Sequence, residues 1–391
     1  MIRPKSWVLI WVSPACLSAT QLIPLESIPF FLGGSVTSIS TDGSTVTGYA
    51  PNSGSPIAVT WNSGGTVTLK GPGAIWDLNS TADVFVGESN NGKPTIWKNG
   101  ANGVPILTTQ ADGAAFSVTA DGMTSYGAMI PSQFVWTGTK FDHALQQSQL
   151  IDPPCYAVYR VTPDGKTIVG DSSTGNDEQA FRRKENNAFD DLGTLFGGSS
   201  VAQDVSDNGE VVVGVSDGKF FKWTIQTGMI DLGPFHSGSF NFRDISVSGD
   251  GKTIVGAGGS NDCFVWDEHN GTRNLSSVLQ TAGINMSGWK LDRVGAISFD
   301  GDVIAGEGTQ TINGTEDLKS WMVRGFSRLL PPQIKIESSG DLIIIRFSGI
   351  LQESDDLGIT DLWSDVESEP TAKYVIQLPI TGRKFYRARS F

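Results

Sequence analysis

The chain has 391 residues, 47 of them glycine, and a formal net charge of −13. That length holds a large core and two or three domains. The acidity argues against DNA or RNA as partner, because nothing would neutralise phosphate, and it disfavours adsorption to anionic membranes. With three cysteines, three histidines and no CxxC or Cys/His spacing, a zinc site is not credible.

Residues 1–19 read as a signal peptide. Arg3 and Lys5 give a positive start, Trp7–Val12 a short apolar core, and Cys16–Ala19 small residues for cleavage. Ser13 stands where a lipobox would want Leu or Val, so lipidation at Cys16 is not favoured. The expected location is secreted, extracellular or at the cell surface, with the periplasm as another setting. No run of 18 or more apolar residues follows, so the sequence predicts no transmembrane span.

From residue 20 to 328 the sequence repeats. The clearest copy is Val201–Gly233, where Asn208-Gly209 and Asp217-Gly218 mark turns between short extended runs. Between them, Val211-Val212-Val213-Gly214 is apolar on successive positions, as in a strand buried on both faces. The copies align on the glycine that ends this second strand: Gly48, Gly87, Gly127, Gly170, Gly214, Gly256 and Gly306. Upstream of each lies a turn, Asp42-Gly43 or its equivalent, which the second copy reduces to Thr81-Ala82-Asp83. Downstream comes an aromatic: Trp61, Trp97, Trp136, Phe181, Trp223, Trp266 or Trp321. Four strands in about 40 residues match one propeller blade, so the fold class predicted is all-β, a seven-bladed β-propeller. Residues 21–31 resemble a fourth strand with no blade of its own. They are expected to pair with the strand containing Trp321 and close the ring, since an open blade edge invites association.

Four stretches depart from the regular blade, around 128–133, 146–154, 171–178 and 309–319, and are read as loops where function would lie. After Pro331-Pro332 the period stops. Residues 329–391 show four or five strand-like runs, a small β-sandwich-like module.

The repeat resembles the extracellular HAF-repeat family, best at Val205-Ser206, Val211–Ser216, Gly228-Met229 and Asp231-Leu232-Gly233. Gln179-Ala180-Phe181 matches only the last two letters of the name motif, and no copy has its histidine. The resemblance implies a secreted propeller and no mechanism. SPDGK-like stretches, TPDGKTIVG and SGDGKTIVG, are also similar to TolB-type repeats. A GH…WD pairing and a compact sialidase box are both missing. The C-terminal stretches Asp361–Val366 and Arg383–Arg389 resemble terminal modules of secreted proteins from Verrucomicrobia and related bacteria, which implies a sorting or surface-attachment role.

The chemistry is sparse. Each repeated aspartate precedes glycine, which a hairpin requires anyway, whereas calcium needs six to eight oxygens. The best local set for a cation is Asp171, Asp177 and Glu178. The tryptophans of the third strands are read as packing between blades, and Trp76 and Trp289 as core. Cys155 and Cys263, two repeats apart, are expected to be unbridged and buried. No G-x-S-x-G, Walker loop or HExxH occurs, so no catalytic residue and no cofactor is assigned. The reading favoured is a secreted, monomeric, non-enzymatic binding or scaffold propeller for an unknown protein or glycan ligand. The alternative is a secreted polysaccharide-active hydrolase or lyase with its site at the channel mouth. Carboxylates with Arg, Tyr or His converging at that mouth would favour the enzyme; a lining of Gly, Ser and Val would count against it.

Overall fold

The structure is a computed structural model. Between residues 20 and 329 it describes all but 29–32, 52–54, 99–101, 108–111, 131–135, 153–154, 175–176, 186–188, 237–243 and 259–261. Outside that span it describes only the backbone of the strands given below. Residues 21–324 form one compact unit, and residues 1–20 with 325–391 a second.

The first unit is a seven-bladed β-propeller of four-stranded antiparallel sheets. Blade 5 shows the pattern, with strands Ser200–Val205, Val212–Ser216, Lys219–Thr224 and Gly228–His236. Val212–Ser216 is buried throughout, as its unbroken apolar run requires. In blade 7 the outer strand comes from the N-terminal side: Gln21–Pro24 pairs antiparallel with Arg324–Trp321, so the ring closes as expected. Apolar clusters fill the gaps between adjacent blades, the one across the closure joining Leu25, Val36 and Trp61 to Ala305 and Met322.

The glycine on which the copies align has a steric cause. In blades 1 to 5 and 7 the first strand carries a β-bulge opposite it, as between Val36 and Ser38 or Ala202 and Asp204. The bulge brings a first-strand carbonyl over the glycine, so that a Cβ at Gly214 would lie 2.0 Å from the Val201 oxygen and one at Gly48 1.8 Å from the Ser35 oxygen. No side chain fits there.

The downstream aromatics occupy two register positions, where the sequence predicts one. Trp61, Trp97, Trp223 and Trp266 pair with the residue two before the glycine, whereas Phe181 and Trp321 pair with the glycine itself. Both positions lie on the same face of the sheet because strand side chains alternate with period two, so a ring at either fills the interblade gap. Trp136 fits neither. It precedes its strand, Thr137–Asp142, and Phe141 takes the packing position at 0% exposure.

The aspartate turns are satisfied within themselves. Asp121 Oδ1 accepts the Thr119 hydroxyl at 2.6 Å and the Met123 N–H at 2.9 Å. The same pair of bonds recurs at Asp42, Asp164, Asp250 and Asp300, and at Asn208. In the second copy Ala82 adopts the left-handed φ of 55° that glycine takes elsewhere.

Three stretches read as loops are ordered sheet. Gln147–Leu150 is the fourth strand of blade 3. Thr309–Lys319 extends the second and third strands of blade 7 into a long hairpin, turned at Asn313-Gly314. Asp171 and Glu178 belong to paired strands, Thr167–Thr174 and Asp177–Lys184. Of 128–133, residues 131–133 lie outside the described residues. The wide step between Gly256 and Gly306 holds a short helix, Leu275–Thr281, capped by Asn274. Cys155 and Cys263 are free and buried, and burial pushes the Cys155 thiol up to about 12.

In the second unit, Ile334–Ser339, Leu342–Phe347 and Lys373–Gln377 form an antiparallel sheet. A second sheet contains Ile350–Ser354, Ser364–Glu367 and Lys384–Arg389, with Val8–Val12 added parallel to the last.

Candidate functional site at the channel mouth

The innermost strands line the channel, and the bulges decide what faces it. A bulge inserts one unpaired residue and so reverses the side to which the following residues point. The bulged residues are Thr37, Trp76, Phe116, Tyr159 and Gln203 in blades 1 to 5. Trp76, Phe116 and Tyr159 form an aromatic run, with ring centroids 6.4 and 5.8 Å apart, which Tyr49 of blade 1 extends at 5.6 Å from Trp76. The residues just after the bulge, Ser38, Asp77, Ser117, Arg160 and Asp204, form a polar belt next to it.

The belt is self-satisfied. Arg160 bridges the channel, its NH1 2.8 Å from Asp77 Oδ1 and its Nε 3.2 Å from Asp204 Oδ1. Asp77 also accepts from the Ser38 and Ser117 hydroxyls, at 2.7 and 2.8 Å, and from the Val118 N–H at 3.1 Å. Asp204 accepts the Val205 and Val247 amides. Burial opposes the Arg160 charge, but Asp77, Asp204 and Asp207 outweigh it and raise the pKa above its ordinary value. The cavity on this side is only about 70 Å³.

The other mouth is different. There a cavity of about 460 Å³ is walled by Trp76, Phe116, Trp136, Tyr156 and Tyr159, and carries the carboxyls of Glu88, Asp171 and Glu178. Asp171 is 2% exposed. Burial first, then the nearby Glu178 charge, raises its pKa to about 7, while the Tyr159 hydroxyl bonds to it and works the other way. Among the described residues its Oδ1 has no hydrogen-bond partner, and neither has the buried Nε1 of Trp76 in the same cavity wall. Burial also raises the pKa of Glu88. Among the described residues no Lys, Arg or His lines this cavity.

Of the residues picked for a cation, Asp171 and Glu178 meet in this cavity, and the Asp177 side chain lies outside the described residues. Among the described residues no group of three His, Cys, Asp or Glu is placed to hold a metal. Trp76 and Trp136, read as packing residues, form cavity wall. Trp76 is a bulged residue, and Trp136 sits one position before its strand, so both leave the interblade gap. Phe116 and Tyr159 of the cavity wall were missed, although each stands eleven residues before its blade's glycine, as Trp76 does, and so were Glu88 and Tyr156.

The molecule is thus a seven-bladed β-propeller with a closed polar belt at one end of its channel and an aromatic, acidic cavity at the other. No family model and no curated protein matches the chain. Among solved structures it is similar to TolB from Acinetobacter baumannii, at 18% identity and a TM-score of 0.45, over 58% of this chain and 62% of that one. It is also similar to oligogalacturonate lyase from Vibrio parahaemolyticus, at 11% identity and a TM-score of 0.52, over 82% and 96% of the two chains. An oligogalacturonate lyase in complex with manganese gives 11% and 0.52, over 79% and 98%. The likeness to the two lyase structures shows the fold alone. Among the described residues, no helix is long and apolar enough to cross a membrane.

Proposed function

We propose that the protein is a sugar-binding β-propeller whose site is the aromatic mouth. The observation that carries this is the pairing, in one cavity wall, of aromatic rings with a buried acceptor, Asp171 Oδ1, and a buried donor, Trp76 Nε1, that no group among the described residues satisfies. Buried polar groups are normally hydrogen-bonded, so two orphans of opposite kind ask for a ligand group that both donates and accepts. A sugar hydroxyl does both, and the apolar face of a pyranose stacks on aromatic rings. Residues 1–19 and the likeness to the HAF-repeat family support export, and the C-terminal module supports attachment at the surface.

The test is a glycan array followed by calorimetry on the binders. Trp76→Ala and Tyr159→Ala should each weaken binding by about tenfold or more, the scale of losing one aromatic contact. Unchanged affinity in both variants would overturn the reading.

A second reading is hydrolysis of the bound sugar, and one observation favours it. Asp171, with a pKa raised to about 7, still holds its proton in part at neutral pH, as a general acid must, and it faces Glu178. Carboxyls together with Tyr156 and Tyr159 at the mouth also meet the criterion set out for an enzyme. Release of reducing ends from a bound oligosaccharide, lost in Asp171→Asn, would establish it; binding without release establishes the binder.

A further inference from the structure

We propose that the mouth cavity selects sugars carrying a protonated amine, an inference that rests on the sugar-binding reading and narrows it.

Acids elsewhere in the propeller, buried like Asp77 and Asp204 or partly exposed like Glu307 and Asp190, show what this site lacks. Asp77 and Asp204 share Arg160, Glu307 pairs with Arg293 at 3.1 Å, and Asp190 holds the buried Arg182 at 2.7 Å. At the mouth, Glu88 of blade 2 and Asp171 and Glu178 of blade 4 line one cavity, and no ion pair is made by any of the three among the described residues. The walls add to the negative potential, because the faces of Trp76, Phe116 and Tyr159 carry the negative side of the ring quadrupole.

A neutral sugar can satisfy Asp171 Oδ1 and Trp76 Nε1, yet it leaves the repulsion between Asp171 and Glu178 in place. A uronate would bring a further carboxylate into a cavity that no Lys, Arg or His lines among the described residues. An ammonium group removes the conflict, since it donates to the unpartnered carboxyl oxygen, neutralises the pair and lies against aromatic faces that attract cations. The amine supplies the positive charge that Arg160 supplies at the belt.

The experiment is calorimetry of the full chain with three probes of equal length: a glucosamine oligomer, its fully N-acetylated counterpart and an oligogalacturonate. It is run on the wild type and on Glu178→Gln and Glu88→Gln, at a pH where the amine is protonated and at two salt concentrations. The wild type should bind the glucosamine oligomer about tenfold or more tighter than the acetylated one, a preference weakened by salt. That ratio should shrink toward one in Glu178→Gln, whose changed side chain is exposed and leaves folding intact; Glu88→Gln is read only if it folds. Equal affinities, a preference for the acetyl or galacturonate oligomer, or a ratio untouched by Glu178→Gln would each overturn amine selection and leave sugar binding standing. Failure of all three probes to bind would remove both readings.

Discussion

Asp77 and Asp171 are equally buried, at 2% exposure, but at least four donors surround the first while one oxygen of the second has none. Both belong to the same fold, Asp77 on the inner strand of blade 2 and Asp171 on the second strand of blade 4, directly after the aligned Gly170. The difference lies in what the neighbouring blades offer. At the belt, blades 1, 3 and 4 send Ser38, Ser117 and Arg160 to meet the carboxylate. At the mouth they send rings. A buried carboxylate is tolerated where the protein completes its shell. Among the described residues Trp97 and Trp321 leave Nε1 unpartnered inside the closed core, whereas at the mouth the open oxygen of Asp171 belongs to a cavity a ligand can enter.

The contrast can be broken from either end. The largest effect is expected at the belt, where Arg160→Met strands Asp77 and Asp204 without their cation. Breaking a buried ion network in this way should cost about 3–5 kcal/mol in denaturant unfolding. A loss below about 1 kcal/mol would mean that water already carries the shell, and the belt would then be no different from the mouth.

At the mouth the same kind of change should have the opposite sign. The Asp171 pKa rises from an ordinary 3.8 to about 7 in the folded chain. Between those values the folded state binds more protons than the unfolded state, so this group contributes a loss of stability that grows as pH rises from about 4 and levels off above 7. Cys155, Tyr156, Tyr159 and Glu178 are the titratable groups that face it. Asp171→Asn should therefore stabilise the protein by roughly 2–4 kcal/mol at pH 8 and by little at pH 4. Unfolding midpoints of both proteins across that range would show it, and a variant that is destabilised at pH 8 would refute it.

Much of the fold was legible because its causes are local. The aligned glycine, the Asx-turn aspartates and the spare strand at residues 21–31 each follow from the backbone of a single blade. The belt was legible too, by the same alignment: ten residues before Gly87, Gly170 and Gly214 stand Asp77, Arg160 and Asp204. What hides it is the bulge, which reverses the alternation of side chains in the middle of the first strand. Asp171 follows Gly170 directly and looked like the start of a connection, whereas blade 4 carries its strands on to Thr174. Ser125 is fully buried two positions before Gly127, where every other copy carries an apolar residue. Its hydroxyl lies 2.8 Å from His143 Nε2, a partner 18 positions away that pattern alone does not supply. The orphaned atoms of Asp171 and Trp76 were beyond any sequence reading, since a missing partner is a property of three blades meeting.

The most direct test of the mouth as the binding site is to map which tryptophans a ligand protects. Wild-type protein is oxidised with N-bromosuccinimide, with and without a bound sugar oligomer, and modified tryptophans are assigned by peptide mass spectrometry. Trp76 and Trp136 should react in the free protein and be protected by the sugar, while Trp61, Trp97 and Trp321, at 0–1% exposure, react in neither state. Protection of other tryptophans, with Trp76 and Trp136 oxidised equally in both states, would contradict it.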